Sequence, residues 1–263
     1  MISQAQAISE VFERTKREQR AALIPYITAG HPTLTDLPNL VQALNDGGAD
    51  IIEIGIPFSD PLADGPVLQK AATEALSNGV KIRDILRMTE KLSAHSVPIV
   101  YLSYFNPVFR FGVRRFLEAA QASGVKGLMI PDLPWLESDE VFNNALELGL
   151  SLIPFVAPTS TDQHIASLAK TTGFIYGVSV TGVTGVRKDV DAGLRFLVDR
   201  VKQSVSLPLA IGFGISTPEQ AAYVGQMAEG VIVGSALVRI IDQDRSRSAD
   251  LAGEFVASLR QAL

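Results

Sequence analysis

Short apolar runs recur eight times along the 263 residues, separated by segments of helical periodicity, and this alternation restricts the fold more than any other feature. The runs lie near Ala22–Thr28, Asp50–Ile54, Pro98–Ser103, Lys126–Ile130, Ser151–Val156, Phe174–Ser179, Pro208–Gly212 and Gly230–Val233. Each is rich in Ile, Val, Leu and Phe, as strands covered on both faces are. The segments between them carry stripes such as Leu37, Leu40, Val41 and Leu44, Ile165, Leu168 and Ala169, or Leu194, Leu197 and Val201, spaced to fall on one side of a helix. Strands alternating with helices are parallel and joined by crossovers. Eight such units in this length predict an α/β fold closed as a (β/α)8 TIM barrel, in a single domain over 1–263. A doubly wound open sheet fits the same alternation and is the rival architecture. The amphipathic segment Ile8–Arg20 predicts an extra N-terminal helix across the bottom of the barrel. The long interval after the second run predicts an additional helix near Ile82–Ser93, and another follows the eighth.

Composition narrows the class of function. A hydrophobic content of 47% with 19% charged residues suits a large packed core. The net charge of −5 argues against a nucleic-acid groove or a polybasic membrane patch. The absence of cysteine excludes disulfides and thiolate zinc sites. The N-terminal residues are polar and charged, unlike a secretory signal, and no apolar run approaches the roughly 18 residues of a membrane span. A soluble cytoplasmic protein is expected.

Chemistry is concentrated in the segment from Asp50 to Pro66. Glu53 stands inside an apolar, β-branched run, where an ionised carboxylate without a partner costs several kcal/mol. The following loop, broken by prolines, adds Asp60 and Asp64. In this fold, strand C-termini and the loops after them build the active site, so a strand acid facing loop acids fits separated acid/base and electrostatic roles. Glu53 also fits a carboxylate satisfied by local donors, and Ser-Asp-Pro and Ala-Asp-Gly-Pro are equally ordinary turn sequences.

Glycine-bearing loops follow the last three runs: Gly182-Val183-Thr184-Gly185, Gly212-Phe213-Gly214 and Gly234-Ser235. The last opens directly into a helical pattern, so bare amides and a helix N-terminus converge where phosphates bind in this fold. Tight turns need glycine as well, and one Gly-Ser pair alone is weak evidence. His31, His95 and His164 are scattered without ligand spacing and fit surface positions or caps, and no metal is expected. No lysine stands in a strand interior, which disfavours an imine mechanism. Carboxylate acid/base chemistry remains.

Taken together, these segments resemble the α subunits of tryptophan synthase over essentially the whole chain. The resemblance is carried by Pro25-Tyr26-Ile27-Thr28-Ala29-Gly30, the Glu53 to Pro66 segment, Tyr104-Phe105-Asn106-Pro107 and Ile130-Pro131-Asp132-Leu133-Pro134. It extends through Ala157-Pro158-Thr159-Ser160 and the three glycine loops. His31 stands where the family often has Asp, and Ser103 where it has Thr or Met.

The resemblance implies retro-aldol cleavage of indole-3-glycerol phosphate to indole and glyceraldehyde 3-phosphate, with Glu53 as acid/base catalyst and Asp64 supporting the indole N–H. It implies Tyr176, Phe213, Leu102 and Met129 as candidates for the indole slot, although apolar residues in strands are commonly plain core. Gly185, Gly214, Gly234 and Ser235 would hold the phosphate, and Thr184 would close over Asp64. No cofactor is implied in this chain. A β subunit carrying pyridoxal phosphate is the implied partner, in an α2β2 heterotetramer, facing Asp60 and the Tyr104–Pro107 loop. A free-standing lyase, a phosphosugar isomerase on the same barrel and a non-catalytic regulatory partner are the alternatives. The isomerase has no use for the Glu53–Asp64 pair, and a regulatory chain would be expected to have lost one of the two.

Overall fold

The computed structural model describes residues 4–92, 97–178, 187–212 and 214–263. Its strands are β1 (Ala22–Thr28), β2 (Ile52–Gly55), β3 (Ile99–Leu102), β4 (Gly127–Met129), β5 (Ser151–Ile153), β6 (Phe155–Val156), β7 (Ile175–Val178), β8 (Leu209–Gly212) and β9 (Gly230–Val233). All pair in parallel, in the order β5-β4-β3-β2-β1-β9-β8-β7-β6. The two ends of this sheet, β5 and β6, are consecutive in the chain and separated only by Pro154. The sheet therefore curls until its ends meet, which is the barrel and not the open doubly wound sheet.

The ninth strand is the expected fifth one, cut in two. Proline has no N–H to donate to a ladder, so pairing breaks at Pro154. Below it the chain pairs with β4, and above it with β7.

The helices are α1 (Gln4–Arg17), α2 (Leu37–Asp46), α3 (Pro66–Ser77), α4 (Ile82–Leu92), α5 (Phe105–Phe111), α6 (Val113–Ala122), α7 (Asp139–Glu147), α8 (Asp162–Ser167), α9 (Arg187–Ser204), α10 (Pro218–Gly225), α11 (Ser235–Gln243) and α12 (Ser248–Ala262). The extra helix after β2 is α4, and α12 is the extra one after the last strand. A second helix after β3, α5, is a feature that the periodicity does not predict. Its seven residues are too few for an apolar stripe to stand out.

Successive side chains on a strand point to opposite sides. Leu23, Ile27, Ile52, Ile54 and Tyr101 face the helices, where they meet Leu37, Leu40, Val41 and Leu44 of α2 in one continuous core. Ala22, Ile24, Tyr26, Ile51, Val100, Leu102 and Met129 fill the barrel interior. Helix α1 closes the bottom with Ile8, Val11 and Phe12, whose ring lies 5.5 Å from that of Phe174. A buried ion pair fixes this end: Arg20 donates to both carboxylate oxygens of Asp50 at 2.6 and 2.8 Å, and the Leu23 amide donates to Oδ2 at 2.9 Å. Burial works against the Asp50 charge, but these donors hold its pKa below the ordinary value. Among the described residues, α1 thus covers the lower end of the barrel.

Candidate active site

Parallel register sets Glu53 beside Tyr26 of β1 and Val100 of β3. Odd positions of β2 point inward, as Ile51 does, so Glu53 projects into the barrel one layer above it. The Glu53 side chain is 1% exposed, and its Oε2 has no hydrogen-bond partner. Burial, and then the nearby charge of Asp64, push its pKa up to about 8. Glu53 is therefore protonated at neutral pH, poised to give a proton up.

Asp64 is half-buried in the loop between β2 and α3. Burial pushes its pKa up to about 6, opposed by a hydrogen bond from the Tyr104 hydroxyl. That hydroxyl also accepts the Ala63 amide at 3.0 Å. Tyr104 is 2% exposed and its ring packs 5.4 Å from Phe58, so it ties the β2 loop down from inside the protein. Of the Tyr104–Pro107 stretch read as a partner-facing loop, Tyr104 itself points inward. At pH 7 the pair comprises a neutral acid and a carboxylate, the separated states that two roles require.

These groups border a cavity of about 510 Å³, within the usual range for small-molecule sites. Leu102, Tyr176, Gly214, Gly234 and Ser235 line it together with Glu53 and Asp64. Met129 lies fully buried in the barrel core and does not line the cavity. Thr184, Gly185 and Phe213 lie outside the described residues.

Tyr26, Phe155, Ile232 and Arg239 also line the cavity. The first three were missed because a strand residue's inward or outward sense is not legible from an uninterrupted apolar run. Two glycines make the aromatic wall possible. A Cβ on Gly55 would stand 2.1 Å from the Tyr26 hydroxyl oxygen, and one on Gly212 would stand 2.4 Å from that of Tyr176. Gly212, read as part of a phosphate loop, lines the cavity and also makes room for the Tyr176 ring. The Tyr176 hydroxyl is held protonated by burial and by the neighbouring Glu53 and Asp64 charges.

Beside Tyr26, at the end of β9, α11 begins at Ser235 after Gly234, and no side chain caps it. Its first-turn amides lack intrahelical partners, and together with the positive end of the helix dipole they attract an anion. A Cβ on Gly234 would meet the Tyr26 side chain at 3.6 Å, an ordinary contact, so a methyl group fits there without strain. The cavity thus offers aromatic and apolar walls, two carboxyl groups whose pKa values fall on either side of 7 and the uncapped start of a helix.

His31 departs from expectation. His31 is 1% exposed between α3 and α11, with Nε2 3.3 Å from Asp242 and Nδ1 3.6 Å from Glu74, and burial lowers its pKa. It is neither a surface residue nor a cap, because the helices on either side close over the loop that follows β1. These three side chains lie within 4.8 Å of one another, a spacing open to a metal ion. Both carboxylates are already engaged by Arg245, and Asp242 also by Lys70, so an added dication would have to displace them. His164 is half-buried with Nε2 3.0 Å from the Phe155 carbonyl, and His95 lies outside the described residues.

A family model described as tryptophan synthase alpha chain matches residues 12–262. The chain is 45% identical over 259 residues to the tryptophan synthase alpha chain of a Thermoanaerobacter species, covering 97% of this chain and 99% of that one. It is similar to the crystal structure of tryptophan synthase subunit alpha from Legionella pneumophila, with a TM-score of 0.89 at 33% identity and 97% of each chain covered. It also matches a crystal structure of tryptophan synthase from M. tuberculosis in its aminoacrylate-bound form, with a TM-score of 0.87 at 36% identity, covering 97% of this chain and 99% of that one.

Proposed function

The chain belongs to the tryptophan synthase alpha-chain family, carbon–carbon lyases that cleave indole-3-glycerol phosphate to indole and glyceraldehyde 3-phosphate in tryptophan biosynthesis, and we propose that Glu53 and Asp64 carry that cleavage here. What supports the assignment most is the buried Glu53, its Oε2 without a hydrogen-bond partner and its pKa pushed up to about 8, lining the same cavity as Asp64. Glu53 gives its proton to the ring carbon that bears the glycerol chain, leaving positive charge on the indole. The Asp64 carboxylate accepts the indole N–H and stabilises that charge. Ionised Glu53 then takes the proton of the adjacent side-chain hydroxyl. As the aldehyde carbonyl forms, the carbon–carbon bond breaks and its electron pair returns to the ring. Indole keeps the first proton and Glu53 regains one, so the catalyst is restored.

Tyr176 and Leu102 form the indole slot in this assignment, with Met129 behind them and Phe213 as a further candidate. Gly214, Gly234 and Ser235 hold the phosphate, joined by Gly185, while Thr184 closes the site against water. The chain works as one domain over 1–263 and needs no cofactor of its own.

A β-subunit partner goes with the family. We assign the finer arrangement, an α2β2 heterotetramer with pyridoxal phosphate in the β subunit, and a cytoplasmic location. Among the described residues no helix is long and apolar enough to cross a membrane. Leu62, Phe109 and Leu136 follow the ends of β2, β3 and β4 and are 90%, 64% and 75% exposed, apolar side chains on the connections after the strands that suit a docking face. Indole passed to a partner there would not escape to water.

The test is indole release by the purified chain, with and without β subunit, across pH. The expected profile of kcat/KM is a bell with limbs near 6 and 8, where Asp64 gains and Glu53 loses its proton. Strong activation by β subunit is expected, whereas full activity of the isolated chain would identify a free-standing lyase. A flat profile would remove the two carboxyl groups from the chemistry.

A further inference from the structure

We propose that Arg239 is the cation that selects the phosphorylated substrate, an inference that rests on Gly234 and Ser235 being the phosphate cradle. Arg239 lines the cavity together with Glu53, Asp64, Gly234 and Ser235, and it is the one cation among the described lining residues. Of the two acids there, Glu53 keeps its proton at pH 7 and Asp64 is a carboxylate, which repels a phosphate dianion. The dipole of α11 contributes only about half a unit of positive charge at its start. A whole positive charge is needed to offset the carboxylate, and Arg239 supplies it.

Helix geometry brings the guanidinium to that place. Arg239 is four residues after Ser235 on α11, so their Cβ atoms are roughly 5–6 Å apart on one face. Long helical side chains lean toward the helix N-terminus, which carries Arg239 back along α11 toward the Gly234–Ser235 amides. Its planar fork can take two phosphate oxygens at once.

Nothing else among the described residues claims this guanidinium. The acid on its own helix that could silence it, Asp242, is held by Lys70 at 3.2 Å and by Arg245 at 2.9 Å. Arg239 is exposed and also borders a second hollow of about 330 Å³, lined by Pro66, Val67, Lys70 and Asp242. Pro66, Val67 and Arg239 are common to both spaces. Arg239 thus stands where a phosphorylated ligand passes between bulk water and the reaction cavity, and it acts by binding and positioning.

The test uses the full chain with Arg239→Gln and Arg239→Lys, titrated with sn-glycerol 3-phosphate and, separately, with uncharged indole-3-propanol. The Gln variant should bind glycerol 3-phosphate about tenfold more weakly, the loss expected for one charge-assisted pair, while its affinity for indole-3-propanol stays within about twofold. The Lys variant should recover most of the affinity, and the steep salt dependence of phosphate binding should flatten only in the Gln variant. In turnover, KM should rise far more than kcat falls. Glycerol 3-phosphate affinity in the Gln variant within about twofold of the parent would overturn the proposal. Gly234→Asp, run in parallel, separates the two levels: if it abolishes that binding while Arg239→Gln does not, the cradle stands and the arginine falls. If neither variant matters, the cradle is misplaced as well.

Discussion

Replacing Glu53 by Gln removes the ionisable group while keeping its shape, and the structure gives opposite signs for activity and stability. Unfolded, the Glu53 carboxyl titrates near 4.5, and folded, near 8. At about 1.36 kcal/mol per pH unit, that gap makes ionising it in the folded chain about 5 kcal/mol harder than in the unfolded one. Because the folded state binds the proton more tightly, this stabilisation is complete below pH 4.5 and is lost as pH rises toward 8. At pH 7 about 3 kcal/mol of it is gone. Gln carries no charge to desolvate, so Glu53→Gln should be about 3 kcal/mol more stable than the parent at pH 7 and nearly equal to it at pH 4.5. For a chain of this size, that corresponds to a rise in Tm of roughly 6–12 °C. Indole release should fall by at least about 10⁴-fold, because one side chain performs both proton transfers. The assays are urea unfolding at several pH values and steady-state indole formation. A variant whose stability tracks the parent's across pH, or one that turns over normally, would refute the reasoning.

Asp64→Asn should lower kcat by about 10²–10⁴-fold by removing the charge opposite the protonated ring. It should also move the alkaline limb of the parent's profile to lower pH, since the Asp64 charge helps hold the proton on Glu53. Tyr104→Phe removes the donor to Asp64 and the acceptor for the Ala63 amide, so the Asp64 pKa should rise above its present value of about 6. The acid limb should shift upward and turnover at pH 7 should fall roughly tenfold. Gly212→Ala places a methyl group 2.4 Å from the Tyr176 hydroxyl oxygen. The ring must move, which should destabilise the chain by about 1–3 kcal/mol in urea unfolding and raise KM.

Much of this protein is written in local patterns. Apolar runs at regular intervals are enough to dictate parallel strands under helices, because each element must bury its apolar face against the next. A carboxylate inside such a run announces itself, since burial is costly whatever surrounds it. Glu53 was legible for that reason, whereas Asp64 and the Gly234–Ser235 turn could be singled out only by their place in the loops that follow barrel strands.

Other features exist only once the chain closes. The inward aim of Tyr26 and Phe155 depends on strand register, and a continuous apolar run leaves that undetermined. Tyr104 reads as part of an exposed loop until the β2 loop folds over its hydroxyl. His31 looks like a loop residue until α3 and α11 pack against it. Arg239 is an ordinary helical arginine in the sequence, and the cavity gives it neighbours more than 170 positions away, among them Glu53 and Asp64. Periodicity and residue chemistry fix which elements form and where a buried charge must lie. Which side chains then meet across the barrel mouth, and at what pKa, depends on distances and desolvation that arise only when the strands close into a ring.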